Sequence, residues 1–89
     1  GFSVVKEYVG HGIGKALHED PQIPNYGIKS SGPKIIEGMA LAIEPMLIEG
    51  YEQTKIDNDG WTVKTEDGTM SAHFEDTIII TNSGNEIIT

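Results

Sequence analysis

Met39-Ala-Leu-Ala-Ile-Glu-Pro-Met-Leu-Ile48 is the clearest buried strand in the chain, and it decides the fold class. It lies between two glycines and is apolar except for a single carboxylate. A second long strand is predicted for residues 71–81, where a carboxylate again precedes an apolar run. Runs of β-branched and aromatic residues bounded by glycine are typical of strands. Because helical periodicity is almost absent, we expect this chain to be mainly antiparallel β-sheet.

The rest of the chain carries shorter strand and turn signals. Asp59-Gly60 is a hairpin signal between two short candidate strands. A long segment rich in proline and glycine is predicted as a loop, and such loops in compact domains are more often functional than idle. The predicted elements are a strand at 2–9, the loop at 19–33, hairpin strands at 51–56 and 61–65, and a last strand at 86–88.

Size and charge limit the possible functions. The chain has 89 residues, no cysteine and a formal net charge of −8, which allows one small domain and excludes a disulfide or thiolate site. A domain of this size buries only about 60% of its unfolded surface, so we expect a metal or a partner segment to stabilise it. The acidic balance argues against direct nucleic-acid binding. No apolar run approaches the roughly 20 residues of a membrane span.

The chain opens inside an apolar stretch, Gly-Phe-Ser-Val-Val, so we expect it to be the inner part of a longer protein.

Glu44 is the first candidate for chemistry. Side chains alternate across a strand, so Ala40, Ala42, Glu44 and Met46 share one face. A carboxylate in an apolar strand is unfavourable unless it is paired or bound to a metal. Pairing with a basic residue is one interpretation, although the chain has no arginine and only six lysines. Metal ligation is the other.

Glu75 repeats this pattern on the second long strand. It shares a face with Ser71, His73 and Thr77, and it stands at the start of the apolar run. The alternative interpretation is an exposed charge on an edge strand. His73 and Asp76 are predicted to be surface groups or neighbours of a ligand, rather than ligands.

Two histidines complete the set of candidates. His11 has a glycine on each side, which leaves its imidazole without bulky neighbours in sequence. His18 could orient a substrate or donate a proton, since histidine titrates near neutral pH; the alternative is a hydrogen-bonded core histidine. One imidazole with two carboxylates suits Zn, Mn, Fe or Co at a hydrolytic site. A metal there would activate water and polarise a carbonyl.

Five motifs in order resemble the type I methionine aminopeptidases. They are Gly10-His-Gly-Ile-Gly14, His18-Glu-Asp-Pro21, Ile43-Glu-Pro-Met46, Asp59-Gly-Trp-Thr-Val-Lys-Thr65 and Ser71-Ala-His-Phe-Glu-Asp-Thr77. Each is weak alone, but together they run through the whole chain. The resemblance implies an α+β pita-bread fold of two similar halves around two divalent metal ions, with residues 1–89 as the metal-binding C-terminal half and the N-terminal half absent.

The resemblance also implies a role for individual residues. His11, Glu44 and Glu75 would be three of five metal ligands, and Glu44 would assist proton transfer. His18 would be catalytic and would contact the scissile amide of the substrate. Trp61 and Leu17 would line the methionine pocket, although Leu17 stands where the family often has an aromatic residue. The other two ligands, both aspartates, and a further active-site histidine belong to the N-terminal half of the family.

The implied function is metal-dependent removal of the initiator methionine from nascent proteins in the cytoplasm. The isolated 89 residues are expected to be inactive. The partners would be the N-terminal methionine of the substrate and the missing half, with the ribosome as a further candidate. The alternatives are a proline-specific aminopeptidase of the same fold and a non-catalytic pita-bread binding protein. Proline-specific enzymes often carry an arginine shortly before the last glutamate, whereas Ser71-Ala-His-Phe precedes Glu75 here. A non-catalytic protein would be expected to lose metal ligands, but all three candidate ligands are present.

Overall fold

Ten short strands and no helix make up the computed structural model, which describes all residues from Gly1 to Thr89. This confirms the expectation of a mainly antiparallel β-structure. With no helix present, no helix could span a membrane. In chain order the strands are β1 (Ser3–Val4), β2 (Gly10–Gly12), β3 (Glu19–Ile23), β4 (Ala40–Ile43), β5 (Met46–Ile48), β6 (Thr54–Ile56), β7 (Val63–Thr65), β8 (Ser71–His73), β9 (Asp76–Thr81) and β10 (Gly84–Ile87).

The strands form two sheets and a separate hairpin, and every pairing is antiparallel. The larger sheet has the strand order β10-β9-β4-β2-β3, and the smaller sheet has the order β1-β5-β8. The hairpin consists of β6 and β7, as the Asp59-Gly60 signal predicted.

The two long predicted strands each divide into two at their glutamate. Residues 39–48 become β4 and β5, and residues 71–81 become β8 and β9, so each strand leaves one sheet and enters the other. Pro45 explains the break. The Phe74 amide donates to the Pro45 carbonyl at 3.1 Å, but proline has no N–H to donate in return, so the ladder is interrupted there.

Other predicted boundaries shift. The first part of the predicted 19–33 loop is a strand, β3, which lies at the edge of the larger sheet. Pro21 sits in this strand, and proline is tolerated at an edge because no neighbour requires its N–H. The predicted strand at 2–9 shortens to β1, because only Ser3 and Val4 pair with β5. The last strand lies at 84–87 rather than 86–88, and both hairpin strands are shorter than predicted.

The apolar core is small. Only 6 of 89 residues are buried, and the buried hydrophobic residues are Val5, Leu41, Ala42 and Ile48. The chain exposes 6760 Å², whereas a compact protein of its mass is expected to expose about 5,100 Å². Its radius of gyration is 14.7 Å, against about 12 Å expected for its length. The sheets therefore present large apolar faces to solvent.

Candidate metal centre

Three side chains meet on one face of the larger sheet: His11 lies in β2, Glu44 directly follows β4, and Glu75 directly precedes β9. Each of His11, Glu44 and Glu75 offers one ligand atom, and these atoms lie within 4.8 Å of one another. His11 pairs with Ala42, two residues before Glu44, so His11 and Glu44 point to the same side of the sheet. The cluster is a consequence of strand register.

Backbone hydrogen bonding fixes which ring nitrogen of His11 can bind a metal. Nδ1 lies 2.9 Å from the Gly12 carbonyl oxygen. A carbonyl only accepts, so Nδ1 carries the proton and donates it. The Nε2 atom is then the potential ligand, and it is the atom that faces Glu44. A histidine whose other nitrogen donates to a carbonyl is the usual arrangement of a metal-binding histidine.

Both oxygens of Glu44 face imidazole rings. Oε2 lies 3.0 Å from Nε2 of His11, and Oε1 lies 3.7 Å from Nε2 of His73. The Glu44 side chain is 16% exposed and that of His11 is 12% exposed. The lysine ion pairs lie elsewhere: Lys6 contacts Glu52, and Lys64 contacts Asp57. The structure therefore shows no ion pair between Glu44 and a lysine.

His18 lies next to His11 and is open to solvent. The ring centroids are 4.2 Å apart, and the ring planes are inclined at 48°. His18 is exposed, so it is not a core histidine. Together the two rings line an open groove with Val9, Gly10, Glu19, Asp20 and Gln22.

The remaining predicted site residues are exposed. Glu75 is exposed and completes the cluster from the break between β8 and β9. Trp61 is 86% exposed and Leu17 is 67% exposed, and neither lines the groove around His11 and His18.

Aspartate hydrogen bonds order the hairpin turn that carries Trp61. The Asp59 Oδ1 atom accepts from the amides of Trp61 at 2.9 Å and Thr62 at 2.8 Å. The hydroxyl of Thr62, followed by these two amides, lowers the pKa of Asp59. The Lys64 ammonium, 2.7 Å from Asp57, is the main cause of the lowered pKa of that carboxyl. The backbone position of Trp61 is thus fixed, although its ring is exposed.

The donor set fits a divalent metal ion. Nε2 of His11 and Oε2 of Glu44 lie 3.0 Å apart, a contact that is favourable when a proton on Nε2 or a metal ion lies between the two atoms. Metal–ligand bonds of about 2.0–2.2 Å place two ligands of one ion up to about 4.4 Å apart, so a cluster within 4.8 Å needs only small side-chain rotations. One imidazole and two carboxylates suit the borderline metals of hydrolytic sites.

Comparison with known protein families agrees with this chemistry. The model of metallopeptidase family M24 matches residues 1–82. The chain belongs to metallopeptidase family M24. Membership implies the use of a divalent metal and confirms the family resemblance that the five motifs predicted.

Curated M24 relatives carry the name methionine aminopeptidase. One from Clostridium acetobutylicum is 53% identical over 89 residues, covering 100% of this chain and 36% of the relative. Methionine aminopeptidase 1 of Bacillus subtilis is 58% identical over 88 residues, again covering 36% of the relative. The chain therefore spans little more than a third of the length of these relatives.

Solved structures of similar M24 proteins confirm the fold. The crystal structure of methionine aminopeptidase from Thermotoga maritima matches 98% of this chain with a TM-score of 0.95 and 56% identity, and the match covers 35% of that protein. The Rickettsia prowazekii enzyme matches with a TM-score of 0.92 and 47% identity. The pita-bread fold implied by the resemblance is confirmed for this stretch.

The structure adds one contact to the centre that the sequence patterns did not reveal. The Asn25 side-chain amide donates to the Glu44 carbonyl oxygen at 3.2 Å. Asn25 and Glu44 are 19 residues apart, and nothing in the loop sequence around Asn25 points to this partner.

Proposed function

We propose that this chain is the metal-binding half of an aminopeptidase that removes the N-terminal methionine from newly made proteins. The observation that carries the proposal is the convergence of His11, Glu44 and Glu75 within 4.8 Å on one face of a sheet. The names of the relatives, at 53% and 58% identity, support methionine as the residue released.

His11, Glu44 and Glu75 would hold the metal, and the finer proposal is two ions, completed by two aspartates from another part of the protein. When bound, the metal supplies a Lewis acid that activates water and polarises the scissile carbonyl. Zn, Mn, Fe and Co all suit an imidazole–carboxylate set.

Glu44 and His18 are the proposed catalytic residues. The Glu44 carboxylate is mostly shielded from solvent, and its two oxygens face the imidazoles of His11 and His73. It is therefore placed to accept and release a proton during the reaction. His18 is exposed at the groove beside His11, where its ring can donate a hydrogen bond to the substrate amide. Positioned general acid–base groups typically contribute about 10²–10⁴-fold to a rate. Trp61 and Leu17 are proposed as walls of the methionine pocket.

Residues 1–89 are proposed to need a second half for activity. The chain exposes about 1,600 Å² more than a compact protein of its mass, which is about twice what one partner buries in a standard interface. Fifteen large hydrophobic residues are exposed, including Phe2, Ile28, Phe74 and Trp61. A second half that covers these faces would also supply the missing ligands.

The proposed setting is the cytoplasm, where nascent chains emerge and where the ribosome is a candidate partner. This follows from the substrate, since an N-terminal methionine is present on every newly started chain.

A substrate comparison on the full-length protein tests the function. Metal-loaded protein is offered Met-Ala-Ser and an Xaa-Pro peptide of equal length, and the released amino acid is quantified. We expect methionine release from Met-Ala-Ser and none from the Xaa-Pro peptide. The opposite preference would support the proline-specific alternative, and no release from either peptide would favour a binding protein.

A further inference from the structure

The segment between β1 and β2 does not pair with the stretch that contains Glu44, which leaves a gap in the sheet there. Val5 donates its amide to Met46, and further along His11 pairs with Ala42. Between these two points, residues 6–10 stand opposite only residues 43–45. The two extra residues form a bulge, and residues 6–9 form no strand.

The bulge removes the backbone partner that the Glu44 carbonyl would otherwise have. Along β4, alternate residues turn their backbone groups toward β9 and toward β2. Met39 bonds toward β9 through Ile80, and Ala40 bonds toward β2 through Ile13. Glu44 has the same parity as Ala40, so its carbonyl points to the side of the bulge, and no backbone amide donates to it.

Asn25 fills this gap. Its Nδ2 atom donates to the Glu44 carbonyl at 3.2 Å, and the Asn25 side chain is partly buried. The next residue, Tyr26, places its ring 5.4 Å from the ammonium of Lys6, which lies in the bulge. Two consecutive loop residues thus fasten the loop after β3 over the gap, one to Glu44 and one to the bulge.

We propose that Asn25 is a positioning residue that holds Glu44 in place for metal binding. Glu44 lies at the break between two sheets, and on the side of the bulge no strand pairs with it. The Asn25 amide supplies the missing hydrogen bond on the open side. The assignment rests on the proposed role of Glu44 as a ligand.

The test measures metal affinity in full-length protein. Asn25→Asp keeps the shape of the side chain and removes the donor, and Asn25→Ala removes the side chain without adding charge. Asn85→Asp, on the exposed strand β10, is the matched control for charge. Mn²⁺ is titrated into each metal-free protein by calorimetry, and the Mn²⁺-induced rise in Tm is measured in parallel.

We expect both Asn25 variants to bind Mn²⁺ on the order of tenfold more weakly than the wild type, as is typical when a group that orients a ligand is lost. Their Mn²⁺-induced rise in Tm should shrink accordingly, since stabilisation by a ligand follows its affinity. Asn85→Asp should match the wild type. Unchanged affinity in both Asn25 variants would overturn the proposal, and so would failure of both to fold, which would make Asn25 a structural residue.

A Glu44→Gln variant separates this inference from the proposed function. If Glu44→Gln binds Mn²⁺ as tightly as the wild type, Glu44 is not a ligand, and the assignment of the centre itself fails. If Glu44→Gln weakens binding and the Asn25 variants do not, only the role of Asn25 fails.

Discussion

Glu44 and Glu75 lie directly opposite each other across an interrupted antiparallel ladder. Ile43 pairs with Asp76 on one side of the break, and Met46 pairs with His73 on the other, so the register is the same on both sides. Flanking hydrogen-bonded pairs make the Glu44–Glu75 pair a non-hydrogen-bonded one, in which side chains approach most closely. Two facing carboxylates repel each other, which is destabilising unless a cation lies between them. This juxtaposition is the physical basis of the metal-centre assignment.

Substitution of His11 and of His18 should have different effects on metal content. Full-length His18→Ala should retain its metal, because His18 is outside the ligand cluster, and should lose about 10²–10⁴-fold in kcat, as expected when a general acid–base group is removed. His11→Ala should lose metal as well as activity. Elemental analysis and kinetics on both variants make this comparison. Loss of metal in His18→Ala would contradict the assigned roles.

Gly12 should not tolerate a side chain. A Cβ added there would clash with the Asp20 carbonyl in the backbone of β3, which cannot move aside easily. Gly12→Ala should destabilise the protein by about 1–3 kcal/mol, as is typical for overpacking, and should disturb the neighbouring His11. Urea unfolding measures this change. Gly1→Ala, where an added Cβ meets nothing within 4 Å, is the control and should leave the free energy of unfolding unchanged. Equal stability of the two variants would contradict the packing between β2 and β3.

Asp67 should make stability depend on pH in the acid range. The Tyr51 amide, 2.9 Å from Oδ2, is the largest cause of the lowered pKa of Asp67, followed by the Thr69 hydroxyl and amide. Because the folded-state pKa lies below the unfolded value of 3.8, this stabilisation is present above about pH 5 and is lost as the pH falls through 3.8 and then through the folded-state pKa. Asp67→Asn should therefore flatten the decrease of stability below pH 5.

Thermal unfolding between pH 3 and pH 7 measures that slope. Glu86→Gln removes one exposed carboxylate from β10 and serves as the control. If Asp67→Asn and Glu86→Gln gave the same slope as the wild type, the Asp67 hydrogen bonds would not contribute to acid sensitivity.

The isolated 89 residues should not release methionine. Three ligand candidates stand on an open sheet face, and only 6 residues are buried, so neither the site nor the core is closed. Incubation of the isolated chain with Mn²⁺ and Met-Ala-Ser, with full-length protein as the positive control, measures this. Methionine release by the isolated chain would show that no second half is needed.

The sequence predicted the parts of the fold that depend on local pattern. Alternation along residues 39–48 correctly placed Glu44 on the face of Ala40 and Ala42, and the Asp59-Gly60 signal correctly placed the hairpin. The division of the long strands was not predicted, because it depends on how Pro45 meets Phe74 across the sheet. β3 was predicted as a loop, because Pro21 is compatible with a strand only at an edge or a bulge, and both depend on how the whole sheet pairs.

Part of the candidate metal centre could also be predicted from the sequence, and part could not. Residue type and spacing, together with the resemblance, selected His11, Glu44 and Glu75, and the structure brings them together. Asn25 could not be predicted, because its contact with Glu44, 19 residues away, depends on the bulge between β1 and β2. His73 was predicted as a surface group or a neighbour of a ligand; it is exposed, and its Nε2 atom lies 3.7 Å from Oε1 of Glu44.

The metal content of full-length Glu75→Ala tests the central claim most directly. Wild type, Glu75→Ala and the control Glu86→Ala are loaded with Mn²⁺ under identical conditions, passed through a desalting column and analysed for metal per chain. The account predicts that Glu75→Ala retains less metal than the wild type, while Glu86→Ala retains the same amount. Equal metal in all three proteins would contradict the assignment of His11, Glu44 and Glu75 as a metal centre.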